Sequence, residues 1–248
     1  MQIIGSHHIH LTKTSSTNEY ALHLLGNDRP AEGIVIRSDS QSRGRGMDTN
    51  TWESEEGKNL TFSFVLYPRF LAAEKQFLLN QAIALAIVEL VSLKVPSHKV
   101  TVKWPNDIYI NEKKVCGILI QNSILGHSFD YVIAGIGLNV NQSSFKSSAP
   151  NPVSLSMISG INYSLDELLP EACQLLDKRY HQLMSGETGR LNDEYLAKLY
   201  RRDEWHKFAI RGTDCEAKIT GISSFGQLIL IDDVNTEHVC DIKEVKYY

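Results

Sequence analysis

Residues 103–120 read Lys-Trp-Pro-Asn-Asp-Ile-Tyr-Ile-Asn-Glu-Lys-Lys-Val-Cys-Gly-Ile-Leu-Ile. The stretch predicts closely spaced strands: Val100–Trp104, then Ile108–Ile110, then Val115–Ile120, with a hairpin turn at Asn111-Glu112-Lys113. Pro105 interrupts pairing and aims Asn106 and Asp107 out of the sheet. Trp104 reads two ways, as a core tryptophan under a tight turn or as a stacking wall for a flat ring. Lys114 opens an apolar strand with Gly117 at its centre, where a strand glycine suggests a backbone approached by another group.

Working outward, Gly33–Arg37 is a short β-branched strand, and residues 38–51 are polar and glycine-rich, a loop. Leu60, Phe62, Phe64 and Leu66 alternate with Thr61, Ser63 and Val65, a strand pattern. Tyr131–Val140 is a further strand. Glu74–Leu93 carries apolar residues at helical spacing, a long buried helix ended before Pro96. Ser16 with Glu19, and Ser164 with Glu167, have the spacing of reciprocal capping boxes. The first opens a helix that Gly26 stops. The second opens a helix reaching about Met184, and another spans Leu191–Leu199. Beyond residue 205 short strands recur (Phe208–Arg211, Glu216–Ile222, Gln227–Ile231, His238–Asp241), suggesting a small barrel. A domain boundary falls near 200–205.

The chain has 248 residues, 42% hydrophobic and 22% charged, enough for a sizeable core. A net charge of −4 disfavours a grip on bulk nucleic acid. No uninterrupted apolar run approaches the roughly 18–20 residues that cross a bilayer, and the N-terminus has no signal-peptide pattern. Cys116, Cys173, Cys215 and Cys240 lack metal spacing and read as buried, reduced thiols of a cytoplasmic protein. His7, His8 and His10 have no carboxylate near them in sequence, and metal binding is not expected there.

Three more stretches bear on chemistry. Gln41-Ser42-Arg43-Gly44-Arg45-Gly46, closed by Trp52, is either a flexible solvated loop or a cradle for a phosphate, with exposed amides and two guanidinium groups. Gly135-Ile136-Gly137-Leu138-Asn139 places glycines inside a strand, which weakens it unless something comes close. It is not a dinucleotide fingerprint, because the third glycine is missing. Ser16-Thr17-Asn18 suits helix capping and equally suits a ureido ring. Lys114 is either a surface lysine at a hairpin end or a rim cation that neutralises a ligand carboxylate.

Taken in order, Ser16-Thr17-Asn18, Gln41 to Gly46 with Trp52, Lys103 to Asp107, Lys114 with Gly117, and Gly135 to Asn139 resemble the biotin protein ligase family. The match runs through residues 10–142 and continues loosely into the C-terminal part, where Gly221, Gly226, Leu228 and Glu244-Val245 resemble the family's small barrel. The resemblance implies an α+β fold: a class II synthetase-like catalytic domain over 1–203, with a mixed, mainly antiparallel sheet and helices, and a small C-terminal SH3-like β-barrel over 204–248. It implies a cytoplasmic enzyme that uses ATP, with Mg²⁺, to make biotinyl-5′-AMP. The biotinyl group then passes to a lysine of the biotin carboxyl carrier protein domain of an acetyl-CoA or related carboxylase.

The resemblance also assigns roles. Lys114, Arg45 and Asp107 are the catalytic candidates. Ser16, Thr17, Asn18, Gln41, Arg45, Gly46, Lys114 and Gly117 are the biotin contacts. Arg43, Gly44, Arg45, Trp52, Asn106 and Asn139 are the nucleotide side. No metal ligand, DNA partner or membrane partner is implied, and members include monomers and dimers, the latter often joined by sheet-edge pairing. Many members continue the loop with another basic residue and a third glycine, where this chain has Met47 and Thr49. Only 15 residues precede Ser16, too few for the helix-turn-helix of the regulatory members, so no repressor role is expected.

Three rivals differ in class. A lipoate or octanoyl ligase shares the general fold but normally shows a glycine-rich stretch with His-Asp, not found here. A biotin-sensing protein without turnover fits poorly with Lys114 and Arg45. A nucleic-acid module built on the terminal barrel is disfavoured by Asp232, Asp233, Glu237 and Asp241.

Overall fold

The computed structural model describes residues 2–47, 50–146 and 151–248. Seven strands form the main sheet: β1 (His8–Thr14), β2 (Val35–Gln41), β3 (Leu60–Leu66), β4 (Val100–Lys103), β5 (Asp107–Ile110), β6 (Lys113–Leu125) and β7 (Ser128–Leu138). Their order is β1-β2-β3-β7-β6-β5-β4. Only β1 and β2 run parallel, and every other neighbouring pair is antiparallel.

The helices are α1 (Thr17–Asn27), α2 (Gln76–Lys94), α3 (Leu155–Ser159), α4 (Leu165–Met184) and α5 (Thr188–Ala197). All seven residues of β3 are buried. The strand is central, with Phe62 and Phe64 in the main core beside Leu79, Ile83 and Ile87 of α2, and Val65 packed with Ala21 of α1. Both faces are therefore covered.

Helix α2 is apolar nearly all round because the sheet, α4 and α5 enclose it. With the short 3₁₀ turn before it, Ala73–Lys94 is by length and hydropathy sufficient to cross a bilayer. Its apolar residues are not an uninterrupted run, because Asn80, Gln81 and Glu89 fall among them, and in the fold the helix lies within the core. On its outer side Arg179 of α4 is buried, with Nη2 donating to Glu89 of α2 at 3.0 Å and Nη1 donating to Glu194 of α5 at 2.5 Å.

The second sheet contains β8 (Trp205–Ile210), β9 (Thr213–Ile222), β10 (Leu228–Asp232), β11 (Glu237–Cys240) and β12 (Val245–Tyr247), in the order β11-β10-β9-β8-β12, all antiparallel. Its inner residues Phe208, Ile219 and Leu228 belong to the same continuous core as α2 and the main sheet. Trp104 fixes the join, its indole Nε1 donating to Gly226 O at 2.9 Å.

Several boundaries move. Gly26 does not stop α1, which runs on to Asn27, because Gly26 never enters the left-handed region. Strand β6 extends to Leu125 rather than Ile120, and strands β1 and β12 had no counterpart in the sequence reading. All four cysteines are free, but Cys215 is half-buried rather than buried.

Candidate active site

The main sheet presents two faces, and beside the start of α1 one of them carries mostly small residues. Cross-strand pairing aligns Thr61, Gly137, Gly117 and Asp107 in one row across β3, β7, β6 and β5, and Ser63, Gly135 and Leu119 in the next. Small residues in both rows leave a cavity of about 460 Å³ above the backbone. It is lined by Ser16, Thr17 and Asn18 of α1, by Gln41 and the following loop, and by Asn106, Asp107, Lys114 and the strand glycines.

Two glycines are required by what lies on them. A Cβ at Gly137 would come 2.3 Å from Cε2 of Trp52, and one at Gly135 would come 2.2 Å from Oδ1 of Asn18. Real Cβ contacts do not approach so closely, so only glycine admits these side chains. Trp52 therefore lies on bare backbone. Its indole Nε1 is buried without a partner among the described residues, which costs about 1–3 kcal/mol and which a ligand acceptor would relieve.

The Lys-x-x-Gly spacing works through a bulge. Three residues apart on a regular strand point to opposite faces. Here the register between β5 and β6 shifts after Ile108, pairing Ile108 with Cys116 but Tyr109 with Lys114. Val115 is the extra residue. Asp107 and Tyr109 share a face, so their partners Gly117 and Lys114 share it too. Lys114 Nζ then meets Asp107 Oδ1 at 2.7 Å, with both side chains about four-fifths covered, and lies 5.8 Å from the Trp52 ring centre.

The turn that presents Asp107 is held from three sides. Asn106 Nδ2 donates to Ile118 O at 2.6 Å, and Ile118 N donates back to Asn106 O at 2.9 Å. Asn80 of α2 donates to Pro105 O at 3.0 Å, and Trp104 ties the turn to the second sheet. Lys103, the cross-strand partner of Asp107, lies over the rings of Tyr247 and Tyr109, and burial lowers its ammonium pKa.

At the other end, Ser63 Oγ lies 2.6 Å from both Thr17 Oγ1 and Asn18 Oδ1. A hydroxyl has one proton and an amide oxygen only accepts, so Ser63 donates to Asn18 and receives from Thr17. Asn18 Nδ2 donates to Gln121 Oε1 at 2.9 Å and to Leu119 O at 3.3 Å. Thr17 N donates to Gln41 Oε1 at 2.7 Å, tying the loop to the helix start. The loop doubles back as a short ladder: Trp52 N donates to Gly44 O, Gly46 N to Asn50 O, and Arg45 bridges Thr51.

The expected capping box at Ser16 is absent. Ser16 stands at the N-cap with extended backbone, but its side chain makes no cap bond and lines the cavity instead. Glu19 takes Ser15 as partner, Ser15 Oγ donating to Glu19 Oε2 at 2.5 Å, and forms an ion pair with Arg45. The hydrogen bond from Ser15, with the charges of Arg45 and Arg43, holds the Glu19 carboxyl below its ordinary value.

Of the candidate residues, Ser16, Thr17, Asn18, Gln41, Arg45, Gly46, Trp52, Asn106, Asp107, Lys114 and Gly117 line one cavity. Arg43, Gly44 and Asn139 do not. Arg43 is exposed, its amide held by Ser15 O. Gly44 is buried under the Trp52 carbonyl. Asn139 is buried, and its Nδ2 donates to Val153 O at 3.1 Å behind β6. Trp104 is a core residue, so the flat wall at the cavity belongs to the half-buried Trp52. Met47, Asn50, Thr51, Ile118 and Leu119 also line the cavity. The loop residues among them carry no periodic or charge signal that sequence reading could use. Thr49 lies outside the described residues.

A bare sheet face beneath a helix start, with a lysine–carboxylate pair on its rim and an arginine loop above, is built to hold a small anionic acid. The family model for the biotin/lipoate A/B protein ligase family matches residues 11–139. The bifunctional ligase/repressor BirA of Bacillus spizizenii is 31% identical over 236 residues, covering 94% of this chain and 69% of that protein. The biotin–[acetyl-CoA-carboxylase] ligase of Paracoccus denitrificans is 30% identical, covering 89% and 92%. Among solved structures, the biotin protein ligase from Aquifex aeolicus in complex with biotin and ATP superposes with a TM-score of 0.80 at 25% identity, covering 98% and 99%. The chain belongs to the biotin/lipoate A/B protein ligase family.

Proposed function

We propose that this protein is a biotin–protein ligase: it joins biotin to AMP at the expense of ATP and passes the biotinyl group to a lysine of a carboxylase's biotin carboxyl carrier domain. Relatives named for this activity match almost the whole chain. The observation that carries the reading is the Lys114–Asp107 pair at 2.7 Å on the rim of a cavity floored by glycines.

In this reading the ureido ring lies against Ser16, Thr17, Asn18 and Gln41, whose fixed donors and acceptors match it. An ammonium has three donors, so Lys114 keeps one on Asp107 and turns another to the biotin carboxylate. That carboxylate attacks the α-phosphorus of ATP and pyrophosphate leaves. Lys114 offsets the charge that shifts during the attack, and positioning dominates the rate. Arg45 and the loop amides cover the adenylate and exclude water from the mixed anhydride. The acceptor amine, deprotonated with Asp107 as the nearest carboxylate, then attacks the carbonyl carbon, and AMP leaves. Among the described residues there is no group of three His, Cys, Asp or Glu able to hold a metal. Mg²⁺ would enter with the nucleotide phosphates and would offset their charge, while the chain's own residues hold and align the two substrates. Incubation with biotin, ATP, Mg²⁺ and a carboxylase carrier domain, followed by mass measurement, tests the proposal. A mass gain of one biotinyl group supports it, and an unmodified carrier contradicts it.

A further inference from the structure

Two cations line the cavity among the described residues, Lys114 and Arg45, and each has its own carboxylate. Lys114 has Asp107. Arg45 has Glu19, which does not line the cavity and which no motif singled out as a ligand contact.

Glu19 is well placed for this. It sits in the first turn of α1, where a negative charge is favoured by the helix dipole. Ser15 Oγ holds one of its oxygens, and Arg45 Nη2 meets the other. The backbone of Arg45 is fixed separately by its bridge to Thr51. A guanidinium has five donors in a rigid fork, so engaging one Nη2 edge orients the remainder without exhausting it. Thr17 and Asn18, the residues just before Glu19, line the cavity, so the same helix start that meets the small acid also sets the arginine above it.

We propose that Glu19 is a positioning residue for Arg45: the Ser15–Glu19–Arg45 chain sets the guanidinium over the cavity, and so governs how well the acyl-adenylate is retained. The proposal rests on the ligase reading above. Removing Glu19 frees the guanidinium to swing into solvent and leaves Arg43 and Arg45 as unbalanced like charges. A partly exposed ion pair is a modest device, so the effect is on leakage of the intermediate.

The test uses the full chain with biotin, ATP and Mg²⁺, measuring pyrophosphate release against transfer to a carrier domain. The variants are Glu19→Ala, Glu19→Gln, Arg45→Ala and the Glu19→Ala/Arg45→Ala double. The fraction of adenylate lost to solution per transfer is expected to rise by about three- to fivefold in both Glu19 variants, the size of such an ion pair, with melting temperature retained. Adding Glu19→Ala to Arg45→Ala is expected to change leakage no further, because Glu19 acts through Arg45. Normal retention in Glu19→Ala, or a Glu19 effect that persists without Arg45, overturns the proposal alone. A wild-type chain that releases no pyrophosphate overturns the ligase reading and the proposal with it.

Discussion

Gly117 and Gly137 face each other directly across β6 and β7, and the indole of Trp52 rests on the backbone between them. This contact sets the depth of the cavity and explains why two adjacent strands carry residues that weaken strands.

Gly137→Ala places a methyl group where Trp52 Cε2 now sits, at 2.3 Å. The ring must move, at a cost of about 1–3 kcal/mol for overpacking. ATP binding by calorimetry in the presence of biotin is expected to weaken by about tenfold, since each ~1.4 kcal/mol is a factor of ten. Affinity equal to wild type would show that Trp52 is no part of the ligand site.

Ser63→Ala leaves the buried Asn18 Oδ1 without its donor. An unsatisfied buried acceptor costs about 1–3 kcal/mol. Thermal denaturation is expected to show a fall of roughly 2–4 °C per kcal/mol for a chain of this size, with a raised KM for biotin. An unchanged melting temperature would contradict the network as described.

The Arg179 cluster predicts an acid-sensitive margin of stability. Burial pushes the Glu89 and Glu194 carboxyls up. Hydrogen bonds from Lys178 to Glu89, and from Arg179 and Arg190 to Glu194, together with the arginine charge, outweigh it and hold both below the ordinary value. A carboxyl depressed in the folded state contributes stability above its unfolded pKa of about 4.3, and that stability is lost as pH falls through the folded value. Arg179→Met is expected to lower the melting temperature at pH 7, with the gap from wild type closing below about pH 4. A gap independent of pH would refute the linkage.

Trp104→Phe removes the donor to Gly226 O and leaves a buried carbonyl unpaired. Amide exchange is expected to rise both in the turn at 223–227 and at Asn106 and Asp107, because one bond joins the two. Faster exchange confined to the second sheet would separate it from the active-site turn.

Much of this was legible because the informative residues are few and chemically constrained. Pro105 and the glycines of β6 and β7 announced an irregular, closely approached sheet, and the apolar spacing of α2 announced a core helix. What escaped depended on register or on partners distant in sequence. Lys114 and Gly117 share a face only through a bulge at Val115, which composition does not reveal. Ser16 and Glu19 have capping-box spacing, yet Ser15 and Arg45 compete for the same carboxylate and win. Asn139, placed on the nucleotide side by the resemblance, does not line the cavity: its Nδ2 donates to Val153 O, and its Oδ1 is buried without a partner among the described residues. Of the two readings left open for Trp104 the fold takes the core one, because Gly226 supplies an acceptor there, while Gly117 and Gly137 make room for Trp52 at the cavity.

The most direct measurement is pyrophosphate release in a single turnover by wild type and Lys114→Ala, each mixed with biotin and ATP without acceptor. If Lys114 aligns the carboxylate and offsets the charge that shifts during its attack on phosphorus, the variant forms adenylate at least about a hundredfold more slowly while keeping its fold. An equal rate in the two proteins would remove Lys114 from the chemistry and with it this account of the cavity.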